Sequence, residues 1–182
     1  GFVIDGNFAG QPGATWFTDN YYGINILNSA ADGVLDSLEI RNVGADAVIT
    51  GNAGPRWQVN NLYVHDNGEG IQWTTSDYLI ANGNRLENIG TTGLTGQDGI
   101  ELVYSDHCTF TNTNFHNISG SAFDIETGAD NNTFTGFTVH IFNRTGQSAA
   151  VELNGASGNT FSAFSIQDST DGAGIRLIGA SS

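Results

Sequence analysis

The 182-residue chain is long enough for one domain with a hydrophobic core, and its 25 Gly indicate many turns. Its 19 acidic residues outnumber its five basic residues, all of them Arg, and give a formal net charge of −14. Such a surface repels nucleic-acid phosphates and anionic lipids, which excludes both as expected partners and favours cations.

The predicted elements begin with an irregular first coil over residues 1–23, which contains the short strand "FVID" (2–5). From residue 24 to residue 182 the chain repeats with a period of about 24 residues. Each copy holds three short apolar–x–apolar strands joined by Gly, Asn, Ser and Asp turns. The copies begin near residues 24, 48, 70, 99, 123, 150 and 174, and those at 99, 123 and 150 are the clearest.

A repeat of this size cannot bury its apolar face alone, so the copies must stack. Three strands per copy predict an all-β parallel β-helix with about seven coils. We interpret residues 1–182 as a single β-helix domain, either complete or a segment of a longer protein. No apolar run approaches the roughly 20 residues of a membrane span, so no membrane insertion is expected.

The repeat also predicts which residues share a column. The second strands are expected to place inward Leu35, Val59, Ile80, Phe110, Phe134 and Phe161. The third strands are expected to place inward Ile40, Val64, Leu86, Phe115, Ile141 and Ile166. Two residues after each of these comes an Asn or Asp at a corner, namely Asn42, Asp66, Asn88, Asn117, Asn143 and Asp168. We interpret this corner column as structural, because Asn and Asp tolerate the left-handed conformation of a sharp turn.

An acidic row is predicted on the outer face of the first strands. The outward position runs, coil by coil, Val3, Asn25, Val48, Gln72, Glu101, Asp124, Glu152 and Arg176. Three consecutive carboxylates would thus lie about 4.8 Å apart, and each neighbouring pair would repel by roughly 3 kcal/mol at an effective dielectric near 20 and by about 1 kcal/mol in bulk water. A bound Ca²⁺, raised pKa values or simple solvation would offset that repulsion, and the sequence leaves these alternatives open. Asp98, at the start of the same strands, could add a ligand to such a Ca²⁺ site.

The pattern φ-x-φ…NTF…φ-x-φ-x-N, with the opening "VIDGN", resembles the right-handed parallel β-helix proteins of the pectin-lyase-like superfamily. The resemblance implies a right-handed coil that binds or cleaves polysaccharides along the outer face of the first-strand sheet. "TGQDGIEL" (95–102) is similar to the Asp-Gly-Ile-Asp segment of polygalacturonases, with Asp98 and Glu101 at its acidic positions. The Gly-His-Gly and Arg-Ile-Lys signatures of that family are absent.

The layout also resembles that of pectate lyases, in which acidic residues hold Ca²⁺ against the substrate and an Arg abstracts a proton. The resemblance assigns the catalytic base to Arg144 and calcium to Asp98, Glu101, Asp124 and Glu152, with Gln72 and Arg176 as substrate-binding residues. The loops 90–98 and 144–149 are longer than their counterparts and would form the walls of a groove.

Three functions remain open from the sequence. The first is a secreted or cell-surface module whose acidic face binds an acidic polysaccharide or other glycans, or serves surface assembly. The second is a polysaccharide lyase acting by β-elimination. The third is a structural shaft or filament in which copies of the chain stack end to end, since the apolar strands at 2–5 and 174–179 have no recognisable cap.

Overall fold

Three parallel β-sheets build the protein. The structure is a computed structural model that describes residues 2–5, 22–27, 30–90, 97–142, 149–167 and 172–179. Every regular element in these ranges is a β-strand, and every strand pair is parallel. Accordingly, no helix in the described part of the chain is long and apolar enough to span a membrane.

Successive strands pass in turn to each of the three sheets. The first sheet contains β2 (Ile24–Leu27), β5 (Asp46–Gly51), β8 (Glu69–Thr74), β11 (Ile100–Val103), β14 (Phe123–Ile125), β17 (Ala149–Asn154) and β20 (Ala173–Ile178). The second sheet contains β3 (Val34–Asp36), β6 (Gln58–Asn60), β9 (Ile80–Asn82), β12 (Thr109–Thr111), β15 (Thr133–Thr135) and β18 (Thr160–Ser162). The third sheet contains β1 (Phe2–Asp5), β4 (Leu38–Arg41), β7 (Tyr63–His65), β10 (Arg85–Ile89), β13 (Asn114–Ile118), β16 (Thr138–Phe142) and β19 (Ser165–Gln167).

The predicted β-helix is confirmed, and the described residues contain six complete coils with one further strand at each end. Each complete coil contributes one strand to each sheet, from β2–β3–β4 to β17–β18–β19. The strand β1 precedes them and pairs with β4 in the third sheet, so Val3 lies beside Glu39. The expected position of Val3 in the first-sheet row is therefore wrong.

The interior is a stack of like side chains. Phe110, Phe134 and Phe161 form the predicted column, with ring centroids 5.1 Å and 4.8 Å apart and the rings almost parallel. Phe123 meets Phe110 and Phe134 edge to face from the first sheet. Because neighbouring coils repeat at the strand spacing, identical rings stack with little void between them.

The predicted phase is wrong by one residue in two strands. In β5 the pairs Ile24–Val48 and Val48–Ile71 place Val48 in the core, so Ile49 takes the outward position. In the second sheet Ala81 pairs with Phe110 and is buried, whereas Ile80 is 51% exposed. Both segments, "AVI" and "LIA", are continuously apolar, and such a run does not reveal which residues face inward.

The corner column is confirmed for four coils and corrected in a fifth. Asn42, Asp66, Asn88 and Asn117 have φ between 53° and 56°, and they are linked where Asn88 Nδ2 donates to Asp66 Oδ1 and Asn117 Nδ2 to Asn88 Oδ1. In the next coil the strand pairs His116–His140 and Ile118–Phe142 set Ile141 beside Asn117, so Asn143 is not in the corner column. In the same strands Phe115 pairs with Val139, so the predicted inward position of Ile141 is also wrong. Asn143 and Asp168 themselves lie outside the described residues.

Candidate functional site

The outer face of the first sheet carries a row of polar side chains in consecutive coils. The strand register aligns Gln72 with Glu101, Glu101 with Asp124, Asp124 with Glu152, and Glu152 with Arg176. This is the order expected from the sequence. The roles assigned to these residues in calcium and substrate binding stay predictions.

Each end of the carboxylate row contacts a neighbour that offsets its charge. Gln72 Nε2 donates a hydrogen bond of 2.6 Å to Glu101 Oε2. Arg176 Nη1 lies 3.6 Å from Glu152 Oε2, at a partly exposed position. Asp124, in the middle of the row, has a buried Oδ1 with no hydrogen-bond partner among the described residues.

A second acidic row lies beside the first and was missed by the sequence analysis. Asp46 pairs with Glu69 at the start of β5 and β8, and the register of Ile71 with Ile100 sets Asp98 next in the same row. Asp98 Oδ1 accepts a hydrogen bond from the backbone N–H of Ser121. The sequence signal was an acidic residue two positions before the first inward residue in three consecutive coils, in "DAV", "EGI" and "DGI".

The two rows form one acidic cluster, which we define as Asp46, Glu69, Asp98, Glu101, Asp124 and Glu152. Burial raises the pKa of Asp46 to about 6, and the charge of Glu101 contributes. Burial, then the charges of Asp46, Glu101 and Asp124, raises the pKa of Glu69 to about 8. Several carboxyl groups of the cluster therefore hold protons near neutral pH.

The same causes act at the centre of the cluster. Burial raises the pKa of Asp124 to about 7, with contributions from the charges of Glu126, Glu152 and Glu101. Burial also raises the pKa of Asp98 well above its ordinary value, with the charge of Asp124 next in importance. Burial raises the pKa of Glu101 as well, although the hydrogen bond from Gln72 opposes the shift.

One member of the cluster is fully buried with an unsatisfied oxygen. Asp46 is 5% exposed, and its Oδ1 has no hydrogen-bond partner among the described residues. Buried polar atoms in folded proteins almost always have a partner, so an orphaned carboxyl oxygen requires an explanation. The Oδ1 atom of the central Asp124 is also buried without a hydrogen-bond partner among the described residues, although Asp124 as a whole is half-buried.

The arrangement is not a ready-made metal centre. Across the described ranges, no three His, Cys, Asp or Glu side chains are placed together so that they could hold a metal ion. The donors of the cluster are nevertheless all oxygen atoms, the ligand type that Ca²⁺ takes six to eight of. The donor chemistry fits Ca²⁺, and coordination would require the carboxylates to move closer together.

Arg144 lies in the segment 143–148, outside the described residues, as do residues 91–96 of the other long loop. The other four Arg residues each contact a carboxylate. Arg176 is the one at the acidic cluster, whereas Arg41 contacts Glu39 at 3.1 Å, Arg56 contacts Asp32 at 2.6 Å and Arg85 contacts Glu87 at 2.6 Å. The last three pairs lie away from the first sheet, on the third sheet and at the turn before the second.

Comparison with known proteins identifies the coil type. The family model described as "Right handed beta helix region" matches residues 15–140 and 94–182. No curated protein matches the chain. One similar solved structure is that of full-length QnrB1, a plasmid-mediated fluoroquinolone resistance protein, at 12% identity over 84% of this chain and 92% of that chain. Its TM-score of 0.17 is too low to support any argument.

Proposed function

The chain belongs to the family of right-handed β-helix proteins, and from this premise we propose that it is an extracellular module that binds an acidic polysaccharide along its first sheet. The acidic cluster is the centre of the proposed site, and Ca²⁺ is the proposed link between its carboxylates and those of the sugar. The location outside the cell is part of the proposal and is supported by the acidic, Lys-free composition.

The single observation that carries the proposal is the set of orphaned, buried carboxyl oxygens on an outer sheet face. Burying a carboxyl oxygen without a hydrogen-bond partner costs free energy, and this chain does so at Oδ1 of both Asp46 and Asp124. The core does not need these groups, because the inward positions of the same strands are apolar, such as Val48, Ile71 and Phe123. A ligand that supplies the missing interactions would recover that cost.

Calcium suits the site because its charge would replace the protons that the carboxyl groups otherwise hold. Asp98, Glu101, Asp124 and Glu152 are the proposed protein ligands, and the ion would also attract a carboxylate of the polysaccharide. Gln72 and Arg176, at the two ends of the row, are proposed to hydrogen-bond the sugar chain on either side of the ion.

The test is binding to polygalacturonate and to alginate, measured by affinity electrophoresis with Ca²⁺ and with a chelator. We expect retardation in the presence of Ca²⁺, its loss in the chelator, and its loss in the variant Asp124→Asn. The matched control is Asp36→Asn, which removes one charge from an exposed strand of the second sheet and should leave retardation unchanged. Equal retardation of Asp124→Asn and the parent protein would contradict the proposal.

A second candidate function is cleavage of the bound polysaccharide. It is favoured by the pKa values of Asp124, about 7, and Glu69, about 8, because groups that titrate near neutral pH suit proton transfer to and from a substrate. The lyase resemblance would instead use Arg144 as the base.

Two readouts on the same polysaccharides separate these chemistries. β-Elimination forms unsaturated products that absorb ultraviolet light, whereas hydrolysis forms reducing ends without that absorbance. An absorbance increase that Arg144→Gln abolishes would support the lyase. If reducing ends form without an absorbance increase, and Glu69→Gln abolishes their formation, the result would support acid–base hydrolysis. If neither product forms, binding is the function that remains.

A further inference from the structure

Asp46 is a member of the acidic cluster that the four proposed Ca²⁺ ligands leave unexplained. Its side chain is 5% exposed, and its Oδ1 atom has no hydrogen-bond partner among the described residues. A sugar ring is too large to contact a side chain that is buried to this extent. A partner for this oxygen must therefore be small, such as a metal ion, a proton or a water molecule.

The distance along the first sheet separates Asp46 from an ion held at Asp124. Neighbouring strands lie about 4.8 Å apart, and β5 and β14 are three strands apart in the sheet, so their backbones are separated by roughly 14 Å. Two oxygen ligands of one Ca²⁺ lie within about 5 Å of each other, because each is about 2.3 to 2.6 Å from the ion. The short side chains of two Asp residues cannot close that gap, so the ion at Asp124 does not reach Asp46.

Asp46 has its own carboxyl neighbours at the start of the strands. It pairs with Glu69 on the next strand, and Asp98 follows on the strand after that. The charge of Asp46 comes first, after burial, among the causes that raise the pKa of Glu69, so the two carboxyl groups lie within electrostatic reach of each other. Carboxyl groups on adjacent strands are about 4.8 Å apart at the backbone, which is close to the separation of two ligands on one Ca²⁺.

The basic side chains of the described protein do not compensate the charge at this end of the cluster. Arg176 is the one Arg or His in the described strands of the first sheet, and its strand β20 lies five strands from β5, a distance of roughly 24 Å. A Ca²⁺ ion at the four ligands proposed above adds two positive charges there and none beside Asp46 and Glu69. Buried charges in proteins are paired or coordinate a metal, so a second cation is the partner that fits both the size and the charge of this end.

We propose that the acidic cluster binds a second Ca²⁺ ion, held by Asp46 and Glu69, with Asp98 between the two ions. The inference rests on the proposed function, which places the first ion at the other end of the cluster. Two carboxylates do not complete the shell of six to eight oxygens, and backbone carbonyls and water supply the remaining ligands. Because Asp46 is buried, the second ion does not contact the sugar, and it stabilises the starts of β5 and β8 beneath the binding face.

The test is a Ca²⁺ titration of the whole chain at pH 8 by isothermal titration calorimetry, with the number of bound ions checked by equilibrium dialysis. We expect two ions per chain in the parent protein, one in Asp46→Asn and one in Asp124→Asn. Glu69→Gln is a second variant that should also bind one ion, and it keeps the test open if Asp46→Asn does not fold. The matched control is Asp36→Asn on the second sheet, which should bind two.

Retardation by polygalacturonate in Ca²⁺ separates this inference from the proposed function. Asp46→Asn should keep the retardation, because the first ion and its ligands are untouched, whereas Asp124→Asn should lose it. A parent that binds one ion, kept in Asp46→Asn and lost in Asp124→Asn, would overturn the second site and leave the proposed function standing. One ion that is lost in Asp46→Asn and kept in Asp124→Asn would support the ion at Asp46 and contradict the ligands of the proposed function. A parent that binds no Ca²⁺ would overturn both.

Discussion

Single buried Asn residues hold the corners of the coil from the inside. Asn132 is fully buried, its Oδ1 accepts the N–H of Cys108 at 2.7 Å, and its Nδ2 donates to the carbonyl of Ser105 at 3.0 Å. Asn84 bonds Leu62 and Val59 in the same way, two coils earlier and at the corner between the second and third sheets. These side chains supply partners that the bent backbone cannot find in the sheets.

We predict that Asn132→Ala lowers the free energy of unfolding by about 2 to 4 kcal/mol, because it strands one buried N–H and one buried carbonyl. The measurement is urea denaturation followed by circular dichroism. Asn114→Ala is the control, because Asn114 is exposed on β13 and its loss should cost only about 0.5 kcal/mol. Equal losses in the two variants would contradict the structural role of Asn132.

Protonated carboxyl groups give the protein an unusual pH dependence. The pKa of Glu69 is about 8 in the folded chain against an ordinary 4.5, so between these values the folded state holds a proton that the unfolded state has released. The stabilisation is therefore complete below about pH 4.5 and is lost as the pH rises through 8. Asp124, whose pKa is about 7, acts in the same direction.

We predict that the free energy of unfolding in chelator falls between pH 5 and pH 8 by a few kcal/mol, on the order that such pKa shifts imply. Glu69→Gln should flatten part of this slope, because Gln stays neutral in both states. Asp36→Asn, on the second sheet, should leave the slope as it is. A stability that stays level or rises with pH over this interval would contradict the raised pKa values of the cluster.

At the scale of strands, segments that alternate apolar and polar residues predicted correctly which side chains face inward, whereas continuous apolar segments did not. "TFT" in β12 and β15 shows one buried Phe between two hydroxyl residues, and its phase was predicted correctly. In β5 the inward positions include Thr50, which is 1% exposed and whose hydroxyl accepts the N–H of Thr74. The hydrogen bond that permits Thr50 to be buried comes from the next coil, so its burial cannot be predicted from one copy of the repeat.

Alternation also explains why only part of the candidate site was predicted from the sequence. Glu101, Asp124 and Glu152 stood out because each lies between two apolar residues of one strand. Asp46 and Glu69 precede their strands, where acidic residues are also common in turns. Their shared position two residues before the first inward residue becomes visible once the parallel register, which aligns Asp46 with Glu69, is known.

The stacked Phe column is the element on which the C-terminal coils depend. Phe134 is fully buried and contacts Phe110, Phe123 and Phe161. We predict that Phe134→Ala lowers the free energy of unfolding by about 3 to 5 kcal/mol through lost burial and the cavity left behind. Phe164→Ala, at a ring that is 40% exposed, should cost clearly less. Comparable losses in urea titrations would indicate that the column is not the core of these coils.

At the scale of the whole molecule, the interior of the solenoid provides stability, and one outer face carries the proposed binding site. The interior positions of every complete coil supply the core, and the outer face of the first sheet gathers carboxyl groups that lower stability at neutral pH. Composition predicted an acidic surface, and the stacking of coils concentrates part of that charge into one cluster. Groups that are positioned for a ligand are expected to lower the stability of the free protein, because their interactions are completed only when the ligand binds.

The most direct test of this claim is the free energy of unfolding at pH 8 of Asp46→Asn/Glu69→Gln/Asp124→Asn, with and without Ca²⁺. We predict that in chelator the triple variant is more stable than the parent, because it lacks three of the six carboxyl groups of the cluster. We also predict that Ca²⁺ stabilises the parent and leaves the variant unchanged. A triple variant that is less stable than the parent in chelator, or that keeps the full response to Ca²⁺, would contradict the account.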